Sequence, residues 1–174
     1  NHECCDIKVA AFASWDVFPY ILNRKRSEFA INAGFQKANH LFITEREMFL
    51  NELQDQTPSP WKNVRLDAFT HHFAKEYIKT YYPNVVLISY GETDDFAHDS
   101  RYDHYLDAAH NTDQMIKDLW EFCQNNEVYK GKTSFIITTD HGRGDHPKKE
   151  LTSHGKIIKG SNEIWMMAIG PDTP

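Results

Sequence analysis

Two runs, Val85–Tyr90 (Val-Val-Leu-Ile-Ser-Tyr) and Thr133–Thr139 (Thr-Ser-Phe-Ile-Ile-Thr-Thr), constrain the fold of this chain more than any other feature. Both are near-continuous and rich in β-branched residues. That composition suits strands buried on both faces, as in a parallel sheet covered by helices. Lys8–Ala13 and Ile164–Ile169 read as two further strands. Between them lie helical patterns. In Asn63–Tyr82 the apolar residues Leu66, Phe69, Phe73 and Tyr77 recur at three- and four-residue steps, and Pro83 stops the helix. Tyr102–Asn125 carries a stripe of Leu106, Ala109, Ile116, Leu119, Trp120 and Cys123. Asp16–Asn32 reads as a weaker helix closed by Gly34. Thr44 with Glu47 three residues on forms a capping box for a short helix through about Leu53. Strands alternating with helices predict an α/β fold, a mostly parallel sheet flanked by helices on both faces. No repeat or linker divides the chain, so residues 1–174 are expected to form a single α/β domain.

The composition excludes several classes. With 40% hydrophobic and 25% charged residues, the chain is neither disordered nor collagen-like. No apolar run approaches the roughly 18 residues of a membrane span. The net charge of −6, without a basic stripe, argues against a role in coating nucleic acid. Cys4 and Cys5 are adjacent and Cys123 is remote, so neither a disulfide framework nor a paired Cys-x-x-Cys zinc pattern arises.

In a sheet of this kind, ligands gather at the carboxyl ends of the strands. Here those ends are unusually polar. Val85–Tyr90 runs into Gly91-Glu92-Thr93-Asp94-Asp95-Phe96-Ala97-His98, and Thr133–Thr139 into Asp140-His141-Gly142-Arg143. Thr152-Ser153-His154-Gly155 precedes the last strand. Six of the ten histidines fall between residues 98 and 154, and from Glu92 to Asp113 there are seven acids but one base, Arg101. A dication would relieve that repulsion. Imidazole mixed with carboxylate suits zinc or manganese better than calcium, which favours oxygen shells. Asp94 and His98 are therefore candidate ligands. Asp99 and Asp103 fit the start of the Tyr102 helix, whose dipole favours negative charge. Arg143 is a candidate for holding a phosphate oxygen, with a solvated loop arginine the equal alternative. His146 lies near the proposed site but before an exposed Pro147-Lys148-Lys149 loop. His71 and His72 read as helix-surface residues, and Trp61, Trp120 and Trp165 as core.

These motifs resemble the alkaline phosphatase superfamily, nearest its type I phosphodiesterase/nucleotide pyrophosphatase and cofactor-independent phosphoglycerate mutase branches. The resemblance rests on Asp94-x-x-x-His98, on Asp140-His141-Gly142, and on His154-Gly155 ahead of a strand ending in Gly170-Pro171. It covers roughly residues 85–171. It implies a phosphoric-ester hydrolase using two divalent metal ions, zinc first and manganese second, acting on a small-molecule phosphoester. Asp94, His98 and His154 would hold one ion, and Asp140 and His141 the other. In the family an early Asp and a Thr or Ser nucleophile complete the second site. A sulfatase-like sulfuric-ester hydrolase and a non-catalytic metal-binding remnant are the alternatives.

The nucleophile segment is not found. Ser14 and Asp16 form the one early strand-to-acid candidate, in reversed order. The chain, which begins Asn1-His2-Glu3, is therefore expected to be the C-terminal portion of a larger catalytic domain. Its nucleophile would lie elsewhere, and the chain alone would be inactive. A missing strand would leave surface uncovered and favour self-association. Ala97 stands where the nearest families usually have Gly, which suggests a different local turn. The residues do not fix a compartment; the resemblance favours an exported or periplasmic bacterial protein.

Overall fold

A computed structural model describes residues 7–144, 148–171 and 173; His146, Cys4 and Cys5 lie outside them. The chain divides into two compact units, Asn1–Glu92 and Thr93–Pro174.

The N-terminal unit is built on a parallel three-stranded sheet. Its strands are β1 (Val9–Ala13), β2 (Ala30–Ala33) and β3 (Val85–Ser89), in the order β2-β1-β3. Phe12 lies opposite Asn32 on one side and Ile88 on the other. As the central strand, β1 is the most buried, and its small residues Ala10, Ala11 and Ala13 let neighbours approach closely. Helices α3 (Glu45–Gln56) and α4 (Asp67–Tyr81) complete the core: Ala10 and Phe12 pack with Leu50, Phe69, Phe73 and Ala74. The predicted capping box is present, Thr44 accepting from the Glu47 amide while Glu47 accepts from the Thr44 amide. Its reciprocal bonds satisfy two N–H groups that a helix start leaves open.

The expected helix over Asp16–Asn32 is replaced by two single turns, α1 (Phe18–Ile21) and α2 (Arg24–Ser27), followed by β2. Asn23 and Glu28 flank α2 with φ of 46° and 58°, left-handed conformations that end a helix on each side. His71, expected on the helix surface, is buried and bonded to the Tyr90 hydroxyl at 3.1 Å.

The C-terminal unit holds α6 (Tyr102–Asn125), as predicted, and an antiparallel ribbon of β4 (Phe135–Thr138) and β5 (Met166–Ile169). The last two expected strands thus pair antiparallel rather than extending a parallel sheet. The two runs expected to be buried on both faces are not: Val85 and Leu87 of β3 and Ile136 of β4 are exposed. Phe135 packs edge-on against Trp120 of α6 at 5.4 Å, while Ile136 points the other way and is exposed. A two-stranded ribbon against one helix can cover only one of its faces. Trp165, expected in the core, is exposed just ahead of β5. The buried line of α6 is Ala108, Leu119 and Cys123; its first half is rotated by one residue from the expected Leu106–Ala109 stripe. Burial pushes the Cys123 thiol pKa up, which keeps it protonated and inert. No described helix is long and apolar enough to cross a membrane.

Candidate metal centre

Helix α5 (Glu92–His98) follows β3 directly. Asp94 and His98 are four residues apart and so share a helix face. The Asp94 carboxylate lies 3.3 Å from His98 Nε2. Ala97 is helical here with its methyl fully buried, and its φ is not positive, so alanine needs no strained turn. Ser100, at φ 60°, makes the sharp exit instead.

His141 arrives from the loop after β4. Its neighbour Gly142 is pressed against residues 160–163, where a Cβ would collide with the carbonyl oxygens of Gly160 and Glu163. Only glycine lets this loop pass so close. His154 follows the 3-10 turn Lys148–Thr152. Its ring stacks on that of His141, with centroids 3.7 Å apart and planes 10° off parallel. His154 Nε2 is 3.1 Å from His98 Nε2, and His141 Nε2 is 3.4 Å from Asp94 Oδ1.

Side chains that hold metals need free lone pairs aimed at one point. Here the outer hydrogen bonds arrange this. His98 Nδ1 donates to the Thr152 carbonyl at 2.8 Å, and His141 Nδ1 to the Gly142 carbonyl at 3.0 Å. A carbonyl only accepts, so each Nδ1 carries a proton, and in the neutral imidazole it is Nε2 that keeps the lone pair, facing the cluster. This is the outer-shell pattern typical of metal-ligating histidines. Asp94, His141 and His154 each offer a ligand atom, all within 4.8 Å of one another. Desolvation, then the nearby His141, Arg143 and His98, lower the His154 pKa. That favours the neutral imidazole, the ligating form.

The expected residues are thus brought together in one cluster. His141, expected beside Asp140 in a second site, sits with Asp94 and His154. Asp140 approaches at 3.6 Å from His141 Nε2, with a side chain that is 90% exposed. Arg143, expected at a phosphate oxygen, is turned inward. It donates to the Asp94 carbonyl at 3.0 Å, to the Asp94 carboxylate, and to the Leu151 carbonyl at 2.8 Å. With only 10% of its side chain exposed, its bonds serve to fix Asp94 and brace the loop. The Thr152 carbonyl had no signal in the sequence, because a backbone oxygen leaves none.

Ser14, the one early nucleophile candidate, lies in the N-terminal unit and is fully buried. Its hydroxyl donates to Asp67 at 2.5 Å and shares a 2.8 Å hydrogen bond with Thr70. Arg65 closes the network through Thr70 at 2.8 Å and Asn32 at 2.6 Å. Burial pulls the Arg65 guanidinium down to about 9, with Asp67 opposing; it remains charged at neutral pH.

A family model described as type I phosphodiesterase / nucleotide pyrophosphatase matches residues 9–168. No curated protein matches the chain.

Proposed function

Because the chain belongs to the type I phosphodiesterase / nucleotide pyrophosphatase family of phosphoester hydrolases, within the alkaline phosphatase superfamily, we propose that its histidine–aspartate cluster is a divalent-metal centre for phosphoester cleavage. The observation that carries this reading is the convergence of the His98 and His141 Nε2 lone pairs, with His154, on the Asp94 carboxylate. Three imidazoles and a carboxylate fit zinc first and manganese second. Two ions are proposed. Asp94, His98 and His154 would serve one; His141 and Asp140 would serve the other. The oxygen-rich shell expected of a sulfatase is not the chemistry of this donor set.

A bound divalent ion supplies Lewis acidity toward the phosphoryl oxygens and the leaving oxygen. The chain's own residues hold it. Asp94 supplies negative charge, Arg143 fixes that carboxylate, and the Thr152 and Gly142 carbonyls orient His98 and His141. Ser14 is spent on Asp67 inside the core, so we assign the attacking hydroxyl to a segment outside this chain. The chain alone would then turn over no aryl phosphate. The family match runs across both units, which supports a single catalytic domain. Val85 and Leu87 of β3 and Ile136 of β4 are exposed, which supports self-association; light scattering that shows a monomer at all concentrations would contradict it.

Calorimetric titration with zinc tests the centre. His154→Ala should weaken binding beyond the roughly 10–100-fold that losing an outer-shell partner costs. Unchanged affinity in that variant, or no binding by the natural chain, would overturn the reading.

A further inference from the structure

Asp67 and Glu92 cap each other's helices. Asp67 opens α4, and its carboxylate accepts the amides of Gly91 at 2.7 Å and Glu92 at 3.0 Å, where α5 begins. In return Glu92 Oε1 accepts the Asp67 amide at 2.9 Å. Each acid thus satisfies N–H groups that the other helix leaves open. The two helices are unequal partners. α4 has 15 residues and is held in the core by Phe69, Phe73, Ala74 and Ile78. α5 has seven, too few to persist as a helix by its own propensity. Its shape depends on what grips its first turn.

Two and six residues after Glu92 come Asp94 and His98. We propose that Asp67 is the positioning residue of the metal centre: by gripping the first turn of α5, it sets the placement of the Asp94 and His98 side chains. This rests on the metal-centre reading above.

The charge on Asp67 supports the assignment. The side chain is 1% exposed, and burial, with Glu92 adding to it, pushes its pKa up to about 6 despite the hydrogen bonds from Ser14, Gly91 and Glu92. Three segments put charged or polar groups near it: Glu92 from α5, Arg65 from the segment before α4, and the Ser14 hydroxyl from the bend after β1. The His71–Tyr90 pair adds two more titratable groups, on α4 and just after β3. At neutral pH the ionised form is held at a cost in stability, and what it secures is the pair of bonds into α5. An Asn can keep the Ser14 and Gly91 bonds but turns a donor toward the Glu92 amide.

The test compares the natural chain with Asp67→Asn and Ser14→Ala, by hydrogen exchange over residues 92–98 and zinc calorimetry at pH 7. Asp67→Asn should speed α5 exchange about tenfold and weaken zinc about tenfold. Ser14→Ala, which keeps both backbone bonds, should change neither relative to its own global stability. If exchange over α5 is unaltered in Asp67→Asn, or if both variants loosen it alike, the proposal is wrong. If the natural chain binds no zinc, the metal reading fails separately, while exchange still decides whether Asp67 orders α5. Should Asp67→Asn not fold, NMR of the natural chain decides. The Gly91 and Glu92 amide protons should titrate with the Asp67 carboxyl carbon at one midpoint near pH 6; independent titrations would overturn the assignment.

Discussion

Polar side chains meet opposite fates in the two units. In the N-terminal unit Ser14, Arg65, Asp67 and Thr70 are at most 1% exposed, and each is bonded to another of the four or to a neighbour. In the C-terminal unit Asp94, His98, His141 and His154 have side chains 22–42% exposed, with ring nitrogens facing one another rather than facing donors. A buried network that satisfies itself has nothing left to offer a ligand. A half-open cluster of lone pairs does. Similar residue types thus form a closed, buried network in one unit and an open, half-exposed cluster in the other. Burial and hydrogen-bond completeness separate the two better than residue identity does.

The largest effect should come from breaking the closed network. Arg65→Met leaves the Asp67 charge buried without its nearby cation. Urea unfolding should show a loss of about 3–5 kcal/mol. A loss under about 1 kcal/mol would mean that the network is wet and the contrast between the units is overstated.

The next test uses pH. Because the Asp67 pKa is raised, its contribution to stability is fully present below about pH 4 and is lost as pH rises through about 6. A shift from the unfolded value near 4 to about 6 corresponds to roughly 2–3 kcal/mol. Unfolding measured from pH 4 to 7 should show this slope, and Asp67→Asn should flatten it. An opposite slope in the difference between the two proteins would contradict the assignment.

Against those losses, the open cluster should gain on binding. Zinc at about 100 times its dissociation constant should stabilise the natural chain by about 2.7 kcal/mol, reversed by a chelator. Asp94→Asn should abolish the gain, read as the zinc-induced shift relative to the same variant without metal. The smallest effect belongs to exposed ion pairs in either unit. Replacing Lys117, paired with Glu121 at 3.8 Å on α6, should cost less than about 0.5 kcal/mol by thermal melting.

What could be read in the sequence divides along physical lines. The Tyr102 helix and the Thr44 capping box are encoded locally, by periodicity and by one side-chain pair, and both appear as read. The residues of the cluster stood out in the sequence because acids and histidines crowd the strand ends with few bases among them. β2 was not, since Ala30–Ala33 is a strand by virtue of pairing with β1, and left-handed residues at Asn23 and Glu28 leave no pattern in composition. The antiparallel pairing of β4 with β5 was hidden for a related reason: a β-branched run announces a strand but not its partner's direction. The reach of Asp67 to α5 is a contact across 24–25 residues, which spacing cannot show.

The central claim is that the cluster of Asp94, His98, His141 and His154 is a divalent-metal centre, with Asp94 and the histidines as ligands. Zinc anomalous scattering from crystals of the zinc-loaded chain tests it directly. The expected result is a peak about 2.0–2.2 Å from the Asp94 carboxylate and from Nε2 of at least two of the three histidines. A fully occupied zinc bound elsewhere, with these four side chains left without metal, would contradict it.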